Sequence, residues 1–178
     1  GSTLIHAKRK HETWNNDDST TEAKHSRQQP GPNAKRQDKP HAHSATFSPD
    51  NRFVHICDLG QDRVYHYAVD ATHGSLQPAA TPFTNFAAGT GPRHAKFSAD
   101  GQYFYVIDEL DGTVTASRYE TATGTLTPFQ RIPTLQRDYT GDTNTTAELR
   151  VHPNGRFLYQ ANRDSGTESV DGKTVSAG

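Results

Sequence analysis

From residue 41 onward the chain alternates apolar and polar positions in short runs, with Val, Ile, Phe, Tyr and Thr at every second place. Each run is closed by a cluster of Asp, Asn, Gly, Ser or Pro. A period of two predicts β-strands that bury one face. No long segment carries apolar residues at i, i+3, i+4 and i+7, so amphipathic helices are not expected. Three segments superimpose: Phe47-Ser-Pro-Asp-Asn-Arg-Phe53, Phe97-Ser-Ala-Asp-Gly-Gln-Tyr103 and Val151-His-Pro-Asn-Gly-Arg-Phe157, at offsets of 50 and 54 residues. Each reads as strand, tight turn, strand. The strands that follow bring Asp58, Asp108 and Asn162 into one column, read as turn residues at strand ends. Further alternating strands, at residues 62–69 and 112–119, lead to turns at Gly74 and Gly124, giving about four short strands per unit.

Units of this length and content predict β-propeller blades. Residues 41–178 supply two to three units, whereas closed propellers have about 4–8 blades. The expectation is an all-β fold, a partial propeller over residues 37–178 with about three four-stranded blades of a larger parent. Its open blade edges would allow self-association.

Residues 1–36 are read as a polar arm or long loop, partly disordered, with Trp14 as an isolated apolar residue that could dock on the body. Composition agrees with a chain that is not uniformly packed. Only 31% of its 178 residues are hydrophobic and mean hydropathy is −0.89. Eight basic and five acidic side chains in residues 1–40 leave the rest acidic, with a whole-chain net charge of −1. Such a balance supplies no basic field for nucleic acid or an anionic membrane. No apolar window reaches the length of a membrane span or a secretory signal core, and a cytoplasmic location is the default expectation. The single cysteine, Cys57, reads as a small buried hydrophobe.

The innermost strand of each propeller blade lines the central channel, so its side chains converge with those of other blades. Counting back from Phe47, Phe97 and Val151 places His43, Arg93 and Ala147 in one column and Ser44, His94 and Glu148 in the next. After the Asp/Asp/Asn column stand Leu59, Glu109 and Arg163. A repeat scaffold has no need to place a hydrophobe, an acid and a base at one equivalent position, so a functional cause is preferred. The structural alternative is that Arg93 and Glu109 form an ion pair within one blade. His41 and His43 share a strand face but lack a third ligand, so no metal and no cofactor is expected. His55, His66, His73 and His152 read as incidental residues on repeat surfaces.

The chain resembles the seven-bladed lactonases, which include propeller-type 6-phosphogluconolactonases and carboxy-cis,cis-muconate cyclases. The likeness rests on Lys35-Arg-Gln-Asp-Lys-Pro-His41-Ala-His43-Ser, Asp58-Leu-Gly-Gln-Asp-Arg63-Val, Gly89-Thr-Gly-Pro-Arg93-His94 and Asp108-Glu109-Leu. It continues in Tyr139-Thr-Gly-Asp-Thr-Asn-Thr-Thr-Ala-Glu148-Leu-Arg-Val and Asn162-Arg163. The resemblance implies catalytic roles for His43, Arg93, Glu109 and Arg163; beside them, His41, His94, Glu148 and Asn162 are read as binding substrate or supporting the site. It implies a hydrolase of carbohydrate metabolism that opens a small anionic lactone, 6-phosphogluconolactone of the pentose phosphate pathway above all. His43 and Glu109 are then the candidates for proton transfer, and Arg93 and Arg163 the anion binders. Cyclase chemistry and a non-catalytic interaction module are the alternatives. After Arg163 the sequence turns short and polar where the family continues the blade, so the chain by itself is expected to be a truncated form that could be inactive.

Overall fold

The computed structural model describes residues 2–8, 20–26, 29–135, 144–164, 167–170 and 173–176. Their secondary structure is all β. One four-stranded antiparallel sheet runs β3 (Ala42–Phe47), β4 (Phe53–Asp58), β5 (Arg63–Asp70) and β6 (Ser75–Asn85). A second repeats it with β7 (Pro92–Phe97), β8 (Tyr103–Asp108), β9 (Thr113–Glu120) and β10 (Thr125–Pro133). The third unit contributes the pair β11 (Asn144–Val151) and β12 (Leu158–Asp164), followed by the hairpin of β13 (Thr167–Val170) and β14 (Lys173–Ser176). The fold is thus a partial propeller, with two full blades and a two-stranded third sheet among the described residues.

The segment expected as an irregular arm contains a hairpin instead. Strand β1 (Ser2–Lys8) pairs antiparallel with β2 (Thr20–Ser26), Ser2 opposite Ser26 and Lys8 opposite Thr20. Its polar composition hid it, and among its described side chains the one that docks it is a histidine. His25 is 1% exposed, with Nδ1 2.7 Å from Asp58 Oδ2 and Nε2 3.0 Å from the Tyr67 hydroxyl, and it stacks on Tyr65. Trp14 lies outside the described residues.

The strand–turn–strand repeats fold alike for a local reason. Ser48 and Ser98 accept the backbone N–H of Phe53 and Tyr103 and donate to Asp50 and Asp100. The equivalent positions Asn51, Gly101 and Gly155 all take positive φ, which those two residue types tolerate. Blades then pack face to face. Every residue of β4 is buried, with the second blade against one side of its sheet and the β1–β2 hairpin docked on it as well. Cys57, Val64, Ala95, Phe104, Val106, Tyr119 and Leu126 form the core between the first two blades. Cys57 is fully buried and burial pushes its thiol up to about 12, in keeping with an inert hydrophobe.

Two histidines read from sequence as surface residues belong to that core. His55 and His66 face each other across β4 and β5, both with no exposure, their Nδ1 atoms 2.9 Å apart. His66 Nε2 lies 2.9 Å from Thr84 Oγ1, whose hydroxyl donates to Leu126 O in the next blade. His55 is surrounded by Phe97, Phe104 and Tyr119. Loss of hydration pushes His55 down to about 3 and His66 down to about 4. Both folded pKa values lie below the unfolded value near 6.5, so the unfolded chain binds more protons at intermediate pH. Their stabilisation is complete above about pH 6.5 and is lost as pH falls towards 4 and 3. Burial moves Asp108 the other way, up to about 7, against the hydrogen bonds from Thr115 and Thr113. Its contribution therefore weakens as pH rises towards 7. Melting temperature followed from pH 7 to 4 is expected to fall more steeply for the wild type than for a His55→Gln/His66→Gln variant. Equal slopes would remove the histidine pair as the cause.

Candidate active site

Each inner strand carries a β-bulge at the same register. Pairing of β3 with β4 slips between Ala42 and Ser44, that of β7 with β8 between Pro92 and His94, and that of β11 with β12 between Thr146 and Leu149. The residues left out of the ladder are His43, Arg93 and the Ala147-Glu148 pair. A bulge re-aims the side chain it carries, so the column legible in the repeat is also a column of re-aimed positions. Opposite the residue before each bulge stand Asp58, Asp108 and Asn162. These fix the frame: Asp58 accepts the His41 N–H, Asp108 accepts the Thr113 and Thr115 hydroxyls, and Asn162 bonds Thr134 through both amide atoms.

The loop entering β7 is set by Asp62. Its carboxylate accepts the N–H groups of Gly89 and Gly91 and the Gln37 amide. Gly91 has φ +66, and a Cβ there would lie 2.6 Å from Leu110 Cγ, so only glycine permits this approach. Glu109 N–H in turn donates to Gly91 O, at 2.8 Å, which brings the start of β7 beside the turn after β8.

At that junction Glu109 is 2% exposed and ringed by cations. Arg93 Nε lies 2.7 Å from Oε2, Arg36 Nη1 2.5 Å from Oε1 and Arg163 Nη2 3.5 Å from Oε1. Burial works to raise the Glu109 pKa, but Arg36, then Arg93 and Arg163, outweigh it and hold the carboxyl below its ordinary value. Arg93 also donates Nη1 to Ala147 O, and Arg163 donates to Thr146 O at 3.1 Å.

His43 stands beside this cluster. Its ring meets that of His94 edge-on, centroids 5.0 Å apart, and His94 Nδ1 lies 3.0 Å from Glu148 Oε2. Lost hydration first, then the positive charges of Arg93 and His94, lower the His43 pKa, while Glu109 opposes them. His43 is exposed. With its pKa held below the ordinary histidine value it is an uncharged imidazole at neutral pH, close enough to Arg93 to feel its charge. Such a group can take a proton from water while the cations meet developing negative charge.

The structure therefore gathers His43, Arg93, His94, Glu109, Glu148 and Arg163, and joins Arg93 to Glu109 as an ion pair. His41 and Asn162 stand apart from the cluster. His41, just before β3 and its bulge at position 43, pairs through Nε2 with Asp38 Oδ1 at 2.8 Å. Among the described residues no group of three or more His, Cys, Asp or Glu is placed to hold a metal ion. Arg36 was not anticipated as a site residue. It stands on a loop with no repeat partner, and its only signal was its place in the Lys35-Arg-Gln motif.

Fold and cluster together define a propeller whose blades bring acid–base and cationic side chains to the starts of their inner strands. The family described as "Lactonase, 7-bladed beta-propeller" matches residues 5–171. The 6-phosphogluconolactonase of Bacillus subtilis (strain 168) is 37% identical over 72% of this chain and 35% of its own length. A probable 6-phosphogluconolactonase of Arthroderma benhamiae is 39% identical over 72% of this chain and 32% of its own. The structure of a periplasmic gluconolactonase of Pseudomonas aeruginosa superimposes with a TM-score of 0.73 at 26% identity, covering 96% of this chain and 51% of that one. The chain belongs to the seven-bladed β-propeller lactonase family. It spans about a third of the length of these curated relatives and about half of that solved structure.

Proposed function

We propose that the protein to which this chain belongs hydrolyses a sugar lactone, 6-phosphogluconolactone to 6-phosphogluconate, at a metal-free site where the inner strands begin. The observation that carries this reading is the His43 ring against His94 and near Arg93, one of three arginines organised on the buried Glu109 carboxylate. In this mechanism His43 accepts a proton from water as the water oxygen bonds to the lactone carbonyl carbon. Arg93 stabilises the charge that develops on the carbonyl oxygen. When the bond from that carbon to the ring oxygen breaks, the His43 imidazolium returns the proton to the departing alkoxide, leaving a hydroxyl and a carboxylic acid that releases its own proton to solvent and becomes the carboxylate. Glu109 is too strongly held by arginine to serve as the base and acts by positioning them.

The test is lactone hydrolysis followed as acid release, with and without a chelator. Turnover of 6-phosphogluconolactone insensitive to chelator is expected. Turnover abolished by the chelator would contradict the metal-free mechanism, and consumption of a muconate in place of the lactone would assign the cluster to cyclase chemistry.

A further inference from the structure

The three guanidinium groups around Glu109 are not equivalent. Arg93 is 15% exposed and is held at both Glu109 and Ala147 O, so its position is fixed by the protein. Arg36 and Arg163 are 46% and 45% exposed and both approach Oε1, which puts the two approaching nitrogens within about 6 Å of each other. One carboxylate against three guanidinium groups leaves two positive charges in excess. Among the described residues, neighbouring acids do not cancel them, because Glu148 is engaged with His94 and Arg150, and Asp38 with His41. The excess is therefore presented at the two half-exposed arginines.

The loop that carries Arg36 is built to hold it there. The N–H of Arg36 donates to Asn33 O and to Asn33 Oδ1, and the Gln37 N–H donates to Asn33 O. Gln37 is fully buried and its amide donates to Leu59 O and Asp62 Oδ1. The same Asp62 sets the Gly89–Gly91 loop before Arg93, so both arginines are referred to one anchor.

We propose that Arg36 determines substrate specificity at this site, acting with Arg163 as a clamp for a phosphoryl dianion. Two charges and several terminal oxygens suit a phosphoryl group to two guanidinium forks, whereas a carboxylate or a neutral hydroxymethyl group matches them less well. This rests on the lactone-hydrolase reading for its substrate, but its test does not require turnover. Calorimetric titration of 6-phosphogluconate, gluconate and inorganic phosphate into the 178-residue chain reads the clamp directly. The wild type is expected to prefer 6-phosphogluconate over gluconate by about 30-fold, the scale of charge-assisted hydrogen bonds. Arg36→Gln should remove most of that preference and weaken phosphate binding, and Arg36→Lys should restore part of it. Arg52→Gln removes the same charge from the turn at the opposite end of β3 and should leave the preference unchanged. A preference that survives Arg36→Gln, equal weakening of both sugar acids, or a wild type that binds none of the three would overturn the clamp. Loss of preference in Arg36→Gln, together with no lactone hydrolysis by the whole protein to which the chain belongs, would uphold the clamp and overturn the hydrolase reading.

Discussion

A His43→Ala variant of the active protein is expected to lose about 10²–10⁴-fold in kcat, the usual contribution of a positioned general base. KM should change little, since His43 carries no charge with which to hold an anionic substrate at neutral pH. The sign of the pH dependence follows from the same environment. A base works in its deprotonated form, and the His43 pKa is lowered by lost hydration and by Arg93 and His94. The wild-type rate should be level around pH 7 and fall only as pH drops below the ordinary histidine range. Initial rates measured from pH 5 to 8 check this. A fall beginning above pH 7, or an alanine variant that keeps the wild-type profile, would remove His43 from the role.

Glu109→Gln is expected to be damaging in two measurements at once. The amide keeps the shape of the side chain but removes the charge that gathers Arg36, Arg93 and Arg163. Breaking a buried ion pair costs about 3–5 kcal/mol, and the half-exposed state of Arg36 and Arg163 places this case near the lower end. Denaturant melts should register that loss. Activity should fall about 10²–10³-fold, the scale for losing a donor to a developing oxyanion, because Arg93 is no longer held in line. If Glu109 were instead the proton acceptor, the residual rate would lose its acid limb while stability stayed near wild type, so the paired measurement distinguishes the two roles.

The blade architecture was legible in the sequence because equivalent turns recur at offsets of 50 and 54 and because strand alternation survives on the outer strands. The columns holding His43 with Arg93 and Glu109 with Arg163 were legible for the same reason: repetition fixes register even when the residues differ. Alternation misled where a bulge intervened, since the β3 ladder slips at position 43. It also misled at His55 and His66, which look like solvent positions in an isolated sheet but are covered by a neighbouring blade. Arg36 could not be read from periodicity, since it enters from a segment outside the repeat. The β1–β2 hairpin was missed because low hydrophobicity argues against a packed element, and a contact that docks it is made by a buried imidazole.

The recurrent slip in the inner-strand pairing has a consequence for how such a scaffold diversifies. Each module offers one socket whose occupant is excused from ladder geometry, so it can be exchanged without disturbing the hydrogen bonds on either side. A histidine, an arginine and an alanine–glutamate pair already fill the three sockets seen here. New chemistry could be assembled in such a protein by swapping one letter per module while the framework stays as it is.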